Sequence, residues 1–151
     1  MIVYDARMSK IDTSLYASGI RFECTGCGEC CKARHGYGYI YLTLQERRNL
    51  AAHLGMRTSA FTRKHCATTG GYVHLRDPSN DCRFLDGNRC TVYAARPGPC
   101  RTWPFWPENM NRQAWNGEVK RDCPGIGIGR LYTPQEIEVR FAEERARDRE
   151  I

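Results

Sequence analysis

Hydrophobic positions along this chain come in short bursts separated by polar and turn-forming residues. Ile20, Phe22 and Cys24 alternate, which predicts a short strand running into a cluster of cysteines. Residues 37–42 are rich in tyrosine and read as a strand on aromatic propensity. Thr43 and Glu46 have the spacing of a capping box, each able to satisfy an orphan amide at a helix start. That helix is predicted to reach about Leu54, burying Leu50, Ala51 and Leu54, and to stop at Gly55. A second short helix begins at Thr58 or Ser59 and carries Phe61 inward. Gly70 and Gly71 then break the chain before an extended Tyr72–Leu75.

The second half is punctuated more heavily. Residues 82–85 and 90–93 flank Asp86, Gly87 and Asn88, a hairpin signal. A three-residue loop there sets Cys82, Phe84, Cys90 and Val92 on one face, whereas a two-residue Asp-Gly turn separates the cysteines; the first register is favoured. Four prolines between Pro97 and Pro107 predict an extended, rigid wrap rather than a helix. Asn116-Gly117 reads as another hairpin, returning the chain to Cys123 and Pro124. A second capping box, Thr133 to Glu136 with Pro134 between, opens a C-terminal helix over residues 133–150. Ile137 and Phe141 form its apolar stripe, and Glu136/Arg140 and Glu143/Arg147 are favourable pairs four residues apart.

These elements predict a small, irregular α+β fold with short β-hairpins and a few helices, in one domain over residues 1–151 whose core spans about 20–125. A chain of 151 residues supports one modest core, and 14 glycines with 7 prolines leave that core thinly supplied. Metal or disulfide cross-links would compensate. Nine cysteines is an odd number, the first residues lack the features of a secretory signal, and no apolar run reaches membrane-spanning length. The expectation is therefore a cytoplasmic protein whose cysteines hold metal rather than disulfides, with no membrane association. The formal charge of +6 does not argue for nucleic acid. Thiolate ligation by eight cysteines to two dipositive centres would lower it to roughly +2, and the basic residues are dispersed.

Eight cysteines carry the chemistry: Cys24, Cys27, Cys30 and Cys31, then Cys82, Cys90, Cys100 and Cys123. Three thiols at two-residue spacing plus a remote Cys-Pro imitate the ligand set of a cubane iron–sulfur cluster, with Cys24, Cys27, Cys30 and Cys123 in those places. Adjacent side chains diverge, so one of Cys30 and Cys31 would face a second centre, with Cys82, Cys90 and Cys100. Zinc accepts four thiolates equally well, but its familiar ribbons use two Cys-x2-Cys knuckles and only one is present. Iron–sulfur is favoured over zinc, in one or two centres.

Other candidates have plainer readings. Cys66 falls outside the pattern and reads as a small buried residue. His35 and His65 read as surface or capped residues rather than ligands. Gly125, Gly127 and Gly129 lack nucleotide-loop spacing and read as a flexible turn. Trp103, Phe105 and Trp106 read as core and as an apolar shield for the metal. Arg96 and Arg101 read as donors to carbonyls or as compensation for thiolate charge. No catalytic triad, carboxylate pair or phosphate loop is present.

The run Cys24-Thr-Gly-Cys27-Gly-Glu-Cys30-Cys31, with the block from Cys82 through Cys90, Pro97 and Cys100 to Phe105, resembles the bacterial Cys-x2-Cys-x2-Cys-Cys proteins, the YkgJ-type cysteine cluster family. The resemblance runs from about Cys24 to Cys123. It implies a zinc- or iron-chelating domain of no assigned reaction and supports the eight cysteines as ligands; Cys66 has no counterpart. A related cluster in flagellin lysine N-methylases implies the alternative, an iron–sulfur-dependent redox or protein-modifying enzyme. The expectation is a metal-binding protein whose metal is structural or used in metal handling, with a protein partner in the latter case.

Overall fold

The computed structural model describes residues 10–32 and 38–151. The elements in chain order are β1 (Ile20–Phe22), α1 (Leu44–His53), α2 (Thr58–His65), β2 (Cys66–Thr69), β3 (Tyr72–Leu75), β4 (Leu85–Asp86), β5 (Arg89–Cys90), α3 (Gly98–Thr102), α4 (Arg112–Ala114), α5 (Lys120–Asp122), β6 (Arg130–Tyr132) and α6 (Pro134–Asp148). Three two-stranded antiparallel ladders pair β1 with β6, β2 with β3 and β4 with β5. This is a mixed α+β fold of short elements, as the sequence predicts.

The chain divides into two compact units, Met1–Thr25 with Thr102–Glu144, and Gly26–Arg101 with Arg145–Ile151. Each has its own apolar cluster where a single core was expected. The first unit buries Tyr16, Ile20, Phe105, Met110, Trp115, Val119, Ile137 and Phe141. Edge-on aromatic packing recurs there, with the Tyr16 and Phe141 rings 5.9 Å apart and Phe22 and Phe105 at 5.8 Å. The second unit buries Leu42, Leu50, Ala51, Phe61, Cys66, Leu75, Phe84 and Val92.

Both capping boxes form. Thr43 Oγ1 accepts from the Glu46 amide at 3.2 Å, and Glu46 accepts in return from the Thr43 amide at 2.9 Å. Thr133 and Glu136 repeat the exchange at the head of α6. α1 ends one residue before Leu54, and Gly55 takes the left-handed conformation (φ +64°) that stops it. The predicted pairs along α6 are replaced by others: Glu136 pairs with Arg130 at 2.9 Å, and Arg147 pairs with Glu46 at 2.8 Å.

Four local expectations are corrected. Gly70 and Gly71, both at positive φ, close a hairpin between β2 and β3, so Cys66 lies in a strand. Of the strand expected at residues 37–42, the described part makes one bridge, Tyr41 to His74, flanked by hydrogen bonds from Leu42 to Val73 and Leu75 to Ile40. The proline-rich segment is not wholly extended, because α3 lies within it. Pro99 is in the first turn, where an amide has no helical acceptor to lose. Asn116-Gly117 is no hairpin: Trp115–Val119 is a widened π-helical turn between α4 and α5, started by Asn111 accepting from the Ala114 amide at 2.9 Å. Trp115 and Val119 are buried four residues apart, and that helical spacing overrides the local turn signal.

Candidate metal centre

The second unit gathers Cys27, Cys30, Cys31, Cys82, Cys90 and Cys100, besides Cys66. All nine cysteines are free thiols. A single 3-10 turn, Glu29–Cys31, presents the vicinal pair. Gly28 precedes it at φ +74°, and a Cβ there would lie 2.8 Å from the Asn88 carbonyl oxygen and 3.0 Å from the Leu85 side chain. The turn can therefore press against the β4–β5 loop only because that residue is glycine. A hydrogen bond from the Cys82 amide to the Cys31 carbonyl, 2.7 Å, ties the two cysteine segments together.

The β4–β5 register differs from the favoured one. Leu85 pairs with Cys90 and Asp86 with Arg89, leaving a two-residue Gly87-Asn88 loop with Gly87 at φ +59°. Cys82 stands before the ladder, in a turn closed by the Leu85 amide donating to its carbonyl at 2.9 Å. Thr91 locks the far side, its amide and hydroxyl both donating to Phe84 O at 2.8 and 2.9 Å. Phe84 and Val92 point into the apolar cluster, with Cys82 and Cys90 packed at its edge.

The sulfurs converge on Cys31. It shares hydrogen bonds with Cys30, Cys82 and Cys90, and as their common donor its own thiol is pushed far above the ordinary range. Donation from Cys31 lowers Cys30 to about 7, Cys82 to about 7 and Cys90 to about 6, in each case against the opposing effect of burial. Cys100 lies in the field of Cys30, Cys82 and Cys90, and burial first, then those neighbours, push it up to about 12. The Arg96 guanidinium, 3.5 Å from the Tyr93 ring centroid, supplies positive charge to Cys30, Cys90 and Cys100. Arg96 also donates to Tyr93 O at 2.8 Å and Arg101 to Arg96 O at 3.0 Å, the carbonyl role expected of both.

Cys30 and Cys31 thus meet in one group instead of diverging toward two. Cys24 and Cys123 belong to the first unit, where the Glu23 amide donates to Gly125 O at 3.1 Å beside both. Cys24 is exposed and Cys123 buried. The glycine run after Cys123 is closely packed rather than a loose turn: a Cβ on Gly125 or Gly129 would run into Glu23, at 2.1 and 2.3 Å. Among the described residues, no three or more His, Cys, Asp or Glu side chains form a group ready to hold a metal ion. What is present is a set of sulfurs sharing protons. Its chemistry fits a soft or borderline cation, because unpaired thiols already inclined to ionise are the donors such ions take.

The remaining candidates fall outside this group. His35 lies outside the described residues. His65 sits between the Phe61 and Phe84 rings, at 5.1 and 5.2 Å, with its buried Nδ1 unpartnered, and burial lowers its pKa. Cys66 is buried at 3% exposure and its thiol is pushed up by burial, in accord with a packing role. Phe105 is core, and Trp103 packs against the same cluster, edge-on to Trp106 at 4.8 Å. Sequence reasoning missed Glu46 beyond its cap. One of its oxygens also accepts from the Gly98 amide at 2.7 Å and from Arg147, a reach of 52 and 101 residues that no local pattern signals.

A family model described as "CxxCxxCC: putative zinc- or iron-chelating domain" matches residues 23–124. The chain is also similar to the uncharacterized protein MJ0661 of Methanocaldococcus jannaschii, 28% identical over 131 residues, which cover 80% of this chain and 66% of that protein. The chain therefore spans just under two thirds of that archaeal relative's length. No solved structure matches it. Among the described residues, no helix is long and apolar enough to cross a membrane.

Proposed function

This chain belongs to the CxxCxxCC family of zinc- or iron-chelating domains, and on that premise we propose that it binds metal through a thiolate centre built around Cys31. The observation that carries this reading is the convergence of Cys30, Cys82 and Cys90 on the Cys31 thiol, with Cys100 beside them and no disulfide formed. Four or five sulfurs sharing protons are crowded donors, and a cation would replace those protons. Cys24, Cys27 and Cys123 complete the proposed eight-cysteine set. The metal is an iron–sulfur cluster by preference or zinc, serving structure or metal handling in a reducing, cytoplasmic setting, with a protein partner if metal is passed on.

A second reading, an iron–sulfur-dependent redox or protein-modifying enzyme, draws on the exposure of Cys24 and Cys30. An exposed ligand leaves a centre open to electron transfer or substrate. Anaerobic purification with metal and acid-labile sulfide analysis separates the metals. Iron with matching sulfide and a brown chromophore supports the cluster, whereas colourless protein with stoichiometric zinc supports a zinc site. Folded protein that takes up neither metal sinks the chelation reading.

A further inference from the structure

The most heavily tied side chain in the second unit is not a cysteine. Glu46 has about 8% of its surface exposed, and its carboxylate joins three segments far apart in sequence. One oxygen accepts from the Thr43 amide at the head of α1. The other accepts from the Gly98 amide at 2.7 Å and from Arg147 Nε at 2.8 Å. The Arg147 guanidinium donates in addition to the Tyr41 carbonyl. A cap needs only the first of these contacts, so the second oxygen has another role.

That role is visible two residues beyond Gly98. Pro97 and Pro99 fix their own φ angles, and the amides of Cys100 and Arg101 donate to Pro97 O at 3.0 and 3.1 Å. The span from Gly98 to Cys100 is a stiff single turn with little freedom to swing. Gly98 is held without slack: a Cβ there would lie 2.6 Å from Arg147 Cδ and 3.1 Å from Glu46 Oε1. Whatever fixes Gly98 therefore fixes Cys100.

We propose that Glu46, held by Arg147 and acting through the Gly98 amide, is a positioning residue that sets Cys100 against the Cys31-centred thiols. The metal-binding part of this inference rests on the chelation reading above; the placement of Cys100 does not. It makes the last turn of α6 part of the support for a cysteine 47 positions earlier.

The full-length protein tests this through two readouts. One is the rate at which iodoacetamide labels Cys100 relative to Cys66, followed by mass spectrometry. The other is zinc affinity measured against a chromophoric chelator. Glu46→Ala should label Cys100 several-fold faster with Cys66 unchanged, and should weaken zinc binding about tenfold or more, as loss of an outer partner of a ligand does. Thr43→Ala, which removes only the cap hydroxyl, should leave both readouts near wild type. Gly98→Ala guards against misfolding of the first variant: it forces the same network apart with the α1 cap intact, and should expose Cys100 in the same way. Equal acceleration of Cys66 and Cys100 would mean general loosening and would overturn the proposal, as would unchanged labelling in both variants. If the wild type takes up no zinc or iron but Cys100 labelling follows the expected pattern, the chelation reading fails and the positioning role stands. If metal binds and neither variant moves labelling or affinity, the reverse holds.

Discussion

Residues 43–75 and residues 82–101 belong to one unit and share one apolar cluster, yet they are held in different ways. The first stretch has helices of 10 and 8 residues and a hairpin of four-residue strands, so most of its backbone groups satisfy one another. It also supplies Leu50 and Phe61, both completely buried and each worth about 1.5–3 kcal/mol. The second stretch has strands of two residues and a helix of five, and only Phe84 and Val92 of its hydrophobic side chains are buried in the cluster. Too little regular structure forms there to hold itself, and its thiols lie where a cross-link would help. One unit can thus combine a self-supporting half with a half that depends on what its cysteines bind.

Removing the shared donor should break this contrast most severely. Cys31→Ser is expected to abolish metal binding and to expose amides of residues 82–101 to hydrogen exchange, with α1 and α2 still protected. Protection lost uniformly across the unit would show that the two halves are not separately supported. Phe61→Ala should do the opposite. It should cost about 3–5 kcal/mol in denaturant unfolding through the cavity it leaves, with metal stoichiometry of the folded fraction unchanged.

Two glycines sharpen the comparison at smaller scale. Gly55 and Gly28 both have positive φ, but a Cβ on Gly55 meets nothing within 4 Å, whereas one on Gly28 meets the Asn88 carbonyl. Gly55→Ala should cost about 1–2 kcal/mol, the backbone penalty alone. Gly28→Ala should cost more and should also weaken metal binding; a melt showing equal losses, with metal retained in both, would remove the β4–β5 loop from the account.

The smallest effect is a pH dependence. Burial opposes the Glu46 charge, but donation from Arg147, Gly98 and Thr43 outweighs it and holds the folded carboxyl below its ordinary value. A group depressed on folding stabilises above its unfolded pKa, and that contribution is lost as pH falls through the folded value. Melting temperatures of wild type and Glu46→Gln should differ near neutrality and converge in acid. A gap constant into strong acid would assign the difference to packing instead of charge.

Legibility in the sequence followed the range of the interactions involved. Both capping boxes, the Gly55 stop, the β1 strand and the burial of Cys66 depend on neighbours in sequence and were readable there. The β2–β3 hairpin had a signal, Gly70-Gly71 between Thr69 and Tyr72, that was read as a break because Cys66–Thr69 alternates poorly. The β4–β5 register was misplaced by one residue because Asp86 suits a loop as well as a strand end. The meeting of Cys30 with Cys31, and the reach of Glu46 to Gly98, depend on segments brought together by folding. Cysteine spacing marked candidate ligands; it did not show which sulfurs would be neighbours.

The π-helical turn at Trp115–Val119 has a consequence for how this chain tolerates change in length. The Lys120 amide reaches back five residues to the Trp115 carbonyl, so the turn accommodates one residue more than an α-helix would. Asn116, Gly117 and Glu118 are all exposed, and deleting one of them would cost little contact and restore regular winding. It would also rotate everything after it by about 100°, taking Cys123 out of the phase that now buries it. A deletion harmless by its surroundings would act as a frameshift in orientation, and a compensating insertion before Cys123 should repair it.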